Sequence, residues 1–316
     1  MHESGAPRIS LPTETTVAQT PPVAAAPSIA DRTRLAFAAL LAGNICLAFG
    51  PLLVRLGGVG PVAAGFWRLA LAAPLLFLLA RVARQPIPRL SGRMWVMLAL
   101  GGLFFAADLG SWHFGIFRTR LANATLFGNI SSFIFALYGF LLARRLPGRN
   151  QSLALLLAVA GVALLLGRSY ELSPKNMAGD LLCLVAGLFY TGYLIVIERA
   201  RGLLQPLPTL AISTLFGILP LLGFAMLLGE RIMPDIWWPL LLLAIGSQVA
   251  GQGLMVYAIG HLSPVVVGLG LLSQPVLAAA IGWIGYDERL TLADYAGALA
   301  IAVALVLVRR PEKGRG

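Results

Sequence analysis

Residues 94–117 read MWVMLALGGLFFAADLGSWHFGIF, 24 residues with a single charged side chain, Asp108. A helix needs about 20 predominantly apolar residues to cross the hydrocarbon core of a bilayer. A soluble core has no use for such a length again and again, yet here it recurs. Comparable runs lie at about 35–54, 61–80, 121–143, 150–167, 177–197, 207–229, 236–260, 262–286 and 291–308, which with the first makes ten. A backbone in lipid must satisfy its own hydrogen bonds, so each run is expected to be a helix and not an open strand. Turn-forming residues punctuate the runs: Gly57-Gly58, Gly60-Pro61, Gln85-Pro86-Ile87-Pro88, Leu146-Pro147-Gly148 and Gln205-Pro206-Leu207-Pro208. The expected fold class is an all-α integral membrane protein with ten transmembrane helices.

The bulk composition agrees. Apolar residues make up 58% of the 316, charged residues 12%, and the mean hydropathy is +0.84, against about 25% charged in soluble domains. The net charge of +11 would suggest nucleic acid in a soluble protein. Here the basic residues cluster in short loops between apolar runs, the pattern left by retention of Lys and Arg on the cytoplasmic side, and no nucleic-acid partner is expected. Placing the N-terminus inside puts sixteen of the 24 basic residues in inner segments and seven in outer ones, with Arg68 inside a helix. Both termini are therefore expected in the cytosol, in a bacterial inner membrane. Residues 1–33, rich in Pro, Thr and Ala, read as a disordered cytosolic tail. Cys46 and Cys183 lie inside apolar runs and show no metal-ligand spacing. Neither a metal nor a cofactor is expected.

Sliding the chain along itself by 144 residues brings Ala42-Gly43 onto Ala186-Gly187, Arg55 onto Arg199, and Ala158-Val159-Ala160 onto Ala302-Val303-Ala304. The helix limits coincide under the same shift. This divides the chain into five-helix repeats at 34–168 and 177–310. An odd number of helices per repeat makes the second enter the membrane the opposite way up, as in many secondary transporters.

These residues bring a family into view. The segment Asp108-Leu109-Gly110-Ser111-Trp112-His113-Phe114-Gly115-Ile116, with Thr119, Ala122-Asn123-Ala124-Thr125-Leu126 and Asn129, resembles a third-to-fourth-helix signature of the EamA family in the drug/metabolite transporter superfamily. Phe66-Trp67-Arg68-Leu69, Ser273-Gln274-Pro275 and Asp287-Glu288-Arg289-Leu290 are similar to further positions of that family. Ser131 stands where the first repeat would echo Pro275, and Arg144-Arg145 where it would echo Glu288. The resemblance covers about 34–310. It implies a ten-helix transporter of two inverted halves, and export of a small metabolite such as an amino acid.

A charge near the bilayer centre costs roughly 2.5–3.5 kcal/mol on insertion scales. Asp108 is the one acid so placed and must face the bundle interior, a partner or water. It reads as a carrier of protons or a binder of substrate amines, and equally as a packing residue paired with Arg68; the sequence leaves both open. Arg68 and His113 read as structural or as anion partners. Asn44, Trp112, Asn129, Tyr190, Gln248, Gln252 and Gln274 are the other candidates for a central substrate site. Each taken alone is as readily explained by interhelical hydrogen bonding or packing; their depth and their spread over both repeats point to a shared polar centre.

Rival classes find little support. The metalloprotease H-E-x-x-H, the nucleophile elbow G-x-S-x-G and a P-loop lysine are all missing, and a membrane aspartyl protease needs two mid-helix aspartates. No enzyme is expected. A membrane channel is the other alternative, although acidic rings and a carbonyl filter motif are missing as well. The expected partners are a small-molecule substrate and the lipid bilayer, with a homodimer left open. Without an ATP-binding motif in the chain, coupling to protons or to the substrate's own gradient is implied.

Overall fold

A computed structural model describes residues 29–167, 173–286 and 291–308. Among these residues there is helix and turn but no strand. The first half comprises α1 (Ile29–Ala48), α2 (Gly50–Leu56), α3 (Pro61–Val82), α4 (Gly92–Gly115), α5 (Leu121–Gly128), α6 (Ile130–Ala143) and α7 (Arg149–Leu166). The second comprises α8 (Met177–Arg201), α9 (Pro206–Leu227), α10 (Trp238–Leu242), a π-helical segment (Leu243–Gln252), α11 (Gly253–Ile259), α12 (Pro264–Leu271), α13 (Ser273–Tyr286) and α14 (Leu292–Val308). α1 starts at Ile29, inside the stretch read as tail; residues 1–28 lie outside the described residues, as does the Asp287–Leu290 motif.

Local chemistry sets the helix starts. Pro61, Pro206 and Pro264 open α3, α9 and α12, where a missing N–H costs nothing. Ser91 and Ser263 cap α4 and α12 by accepting from Met94 N and Val266 N.

Eight helical spans among the described residues are long and apolar enough to cross a membrane, and two shorter apolar helices follow at Pro264–Leu277 and Leu292–Val308. Large apolar side chains such as Leu78, Leu141, Leu156, Leu219 and Leu299 stand exposed on the outer faces, as lipid-facing surfaces require. The chain is a multi-pass membrane protein.

The run 35–54 is interrupted at Phe49, between α1 and α2; of the later runs read as single helices, 121–143 and 262–286 are each interrupted once. The first breaks at Asn129, between α5 and α6, and the second at Leu272, between α12 and α13. Under the 144-residue shift Asn129 falls on Ser273, next to Leu272, so the two breaks lie within one residue of each other in the two repeats. Packing pairs elements across the halves: α3 with α9, α4 with α8 and α9, α6 with α12, α7 with α14, and α1 with the π segment and α11. Glycines let these helices approach closely. A Cβ at Gly43 would lie 2.9 Å from Gly251 O, and one at Gly161 would lie 2.8 Å from Gly297 O.

Candidate functional site

Two matching breaks in a bundle leave polar backbone near its middle, and a cavity of about 370 Å³ opens there. Both halves build its wall. α1 and α2 supply Leu47 to Arg55, α4 supplies Phe105 to His113, and α5 and α6 supply Thr125 and Asn129 to Ser132. From the second half come Tyr190 of α8, Gln252 of the π segment and Gln274 of α13.

Asp108, Trp112, Asn129, Tyr190, Gln252 and Gln274 are thus brought together at one cavity, with Arg68 and His113 beside them. Asp108 is half-buried and forms no salt bridge or side-chain hydrogen bond among the described residues. Trp112, one turn further along α4, presents its indole close to Gly128, where a Cβ would meet Nε1 at 3.5 Å. Arg68 is 5% exposed. Its Nε donates to Gln248 Oε1 over 2.9 Å, and its guanidinium carbon sits 5.5 Å from the centre of the Phe105 ring. No salt bridge joins Arg68 to Asp108, although both face the same space. Phe105 stacks on Tyr193, with centroids 4.6 Å apart, and Tyr193 stacks on Tyr190 at 5.8 Å, which carries the aromatic wall from α4 to α8.

Gln248 and Asn44 are fully buried and stand behind the wall. Gln248 accepts from Arg68 and donates to Thr214 Oγ1 over 3.0 Å, so it joins α3, the π segment and α9 and fixes the plane of the guanidinium. Asn44 Nδ2 donates to Gly270 O and Ser273 Oγ, both at 2.9 Å, while its Oδ1 accepts from Gln274 Nε2 at 3.3 Å. A broken helix frees a carbonyl that lipid cannot satisfy, and Asn44 satisfies it. His113 Nδ1 donates to Pro61 O over 2.9 Å, which ties the end of α4 to the start of α3.

Further residues on the wall were not among the sequence candidates. Phe105 lies three positions before Asp108, on the same helix face, and that spacing could have found it. Arg55 offered no such signal, being one more arginine at a helix end. Ser132 Oγ and Gln252 Oε1 are buried without a hydrogen-bond partner, and both residues line the cavity. Buried polar atoms are rarely left unpaired, so these two are open to a ligand or to water.

Comparison with known proteins follows the same division of the chain. The profile of the EamA-like transporter family matches residues 34–167 and again residues 177–310. The chain belongs to the EamA-like transporter family. It is a transporter, not an enzyme. The chain is 28% identical over 260 residues to the pseudopaline exporter CntI from Pseudomonas aeruginosa strain UCBPP-PA14, covering 79% of this chain and 86% of that protein. An uncharacterized transporter of Archaeoglobus fulgidus is 24% identical over 244 residues, covering 75% and 83%. A solved crystal structure superposes with a TM-score of 0.69 at 17% identity, covering 89% of this chain and 97% of the other; that likeness concerns the fold.

Proposed function

We propose that this protein is a secondary active transporter that exports a small amphoteric metabolite, such as an amino acid, by alternating access. The observation that carries the reading is the pair of opposite charges, Arg68 and Asp108, facing one cavity without a salt bridge between them. Arg68 has Gln248 and the Phe105 ring but no carboxylate at salt-bridge distance, and a buried charge without a counter-ion is costly. A substrate with an anionic group for Arg68 and a cationic group for Asp108 supplies both partners at once. Trp112 and Tyr190 offer flat faces to its body, and Asn129, Gln252 and Gln274 offer amides. A relative bearing an exporter's name supports the direction.

Ten crossings in two inverted five-helix repeats suit this reading, with α12–α13 and α14 as the ninth and tenth. With both termini in the cytosol of a bacterial inner membrane, the cavity reaches the outer end of the bundle at the exposed Arg55. Asp108 doubles as the proton carrier.

Counterflow in proteoliposomes tests the reading. Radiolabelled amino acids should exchange above the level of empty liposomes, whereas amines without a carboxylate and acids without an amine should not. Arg68→Leu should abolish the exchange. If nothing in the panel exchanges, or Arg68→Leu behaves like the parent, the amphoteric-substrate reading fails. Asp108→Asn should lose flux driven by a pH gradient while exchange at equal pH survives. Retention of gradient coupling would remove Asp108 from the proton route.

A further inference from the structure

α3 and α9 lie side by side, and the same device finishes each of them. After α3 the chain passes through a left-handed residue, Arg84 (φ 53); Arg84 N bonds to Arg81 O at 3.1 Å and Gln85 N to Ala80 O at 2.8 Å. After α9 the left-handed residue is Gly229 (φ 65); Gly229 N bonds to Met226 O and Glu230 N to Ala225 O, both at 3.0 Å. Each is a Schellman-type helix end, and a single shift of 145 residues superposes every atom pair just named.

In both cases the next side chain reaches the first turn of the other helix. Gln85 Oε1 accepts from Leu207 N at 3.0 Å, and Glu230 accepts from Val62 N at 3.3 Å and Ala63 N at 2.8 Å. The first turn of a helix has free N–H groups and a partial positive charge, so an acceptor there is well placed. The two acceptors differ because their donors differ. Val62 and Ala63 present two N–H groups, and a carboxylate has an oxygen for each. In α9, Pro208 stands where Ala63 does and has no N–H, so the one amide oxygen of Gln85 is enough. α3 and α9 are therefore antiparallel and stapled at both ends, by loops from opposite halves of the chain.

The inference from this arrangement rests on the alternating-access reading above. When two halves exchange conformations, each contact takes on the state of its repeat mate. A contact made at both ends survives the exchange, and a contact made at one end only is broken by it. The two staples are mates, and both are closed here. The Tyr138 hydroxyl donates to Glu198 Oε2 at 3.2 Å, joining α6 to α8 at the end of the bundle away from Arg55. Its mates under the 144-residue shift are Gly282 and Val54, which cannot form that bond. We propose that the stapled α3–α9 pair is the fixed axis of the access cycle, and that Tyr138–Glu198 is the latch holding the end opposite Arg55 shut.

Distances between spin-label pairs in lipid nanodiscs test this without any substrate. Cys46 and Cys183 are first replaced by Ser and Ala. Labels then go at Val82 and Leu203 across the Gln85 staple, at Val59 and Leu227 across the Glu230 staple, and at Leu141 and the exposed Gly202 across the latch. Tyr138→Phe with Glu198→Gln should give the latch pair a second, longer population, while each staple pair keeps the distribution of the parent. A staple pair that splits together with the latch pair overturns the axis. A latch pair that stays single overturns the latch. If the double variant is not monodisperse, Tyr138→Phe alone, which removes one oxygen, is measured with the same criteria. Transport is not part of the readout, so a negative counterflow result would count against the exporter reading and leave these distances to decide the axis and the latch.

Discussion

The two helix breaks occupy matching places, but their backbones are completed in different ways. At Asn129 the repair is local. Asn129 Nδ2 donates to Thr125 O at 2.7 Å, and Ser131 Oγ donates to Gly128 O at 3.0 Å. At Leu272 the repair is remote: Gly270 O takes its hydrogen bond from Asn44, on α1. The 144-residue shift places Leu188 opposite Asn44, so the first half has no amide on the matching helix to send across, and the break must look after itself. Geometry repeats between the halves while the chemistry that supports it does not. The consequence is mechanical. α5–α6 carries its own repair and is tied to no other helix by it, whereas α12–α13 is tied to α1.

The largest expected effect comes from cutting the remote tie. Asn44→Leu removes the partner of Gly270 O, Ser273 Oγ and the Gln274 amide together, at a place that is fully buried. One orphaned buried group costs about 1–3 kcal/mol, and Gly270 O and Ser273 Oγ are both buried, whereas the Gln274 amide can turn to the cavity. Unfolding in mixed detergent micelles should show a clear loss of stability relative to the parent. An unchanged midpoint would mean that Gly270 O has another partner, and the contrast between the two breaks would collapse.

Asn129→Ala should have a smaller effect on stability. It removes one bond, and Thr125 O keeps the backbone N–H of residue 129, at 3.0 Å. A hydrogen bond of this type within a membrane protein is worth about 0.6 kcal/mol on average. If Asn129 also faces the substrate, counterflow of amino acids should weaken through a raised KM. A stability loss as large as that of Asn44→Leu would show that the local repair is as critical as the remote one.

The helical class of the fold was legible because length and hydropathy decide it. A run such as 94–117 has one sensible home. The breaks were not legible, since a window average over 121–143 or 262–286 passes smoothly across them. Asn129 and Leu272 depart from helix mainly in ψ, at −4° and −3°, and no Gly-Pro pair announces either. The substitution of Ser131 for Pro275 marked the fourth helix as different without saying how. At the cavity, Asp108, Gln252 and Gln274 stood out because polar groups are rare at that depth. Gln248 and Asn44 stood out for the same reason, yet depth alone cannot tell a side chain that faces the cavity from one that supports its wall. That distinction rests on Arg68 and Gly270, their partners 180 and 226 residues away in the chain.

Ser131→Ala is the smallest change and the sharpest probe of what local repair means. The hydroxyl of Ser131 bonds to a carbonyl three residues back, a bond that competes with regular helix geometry as much as it supports it. Alanine gives up the bond but gains in helix propensity, by up to several tenths of a kcal/mol. Gly128 also lines the cavity, so its carbonyl can find water. The two terms nearly cancel, and the midpoint should stay within about 0.5 kcal/mol of the parent, the range usual for substitutions with no special mechanism. A loss well beyond that would show that Gly128 O depends on the hydroxyl, and that the first break, like the second, is held by one indispensable hydrogen bond.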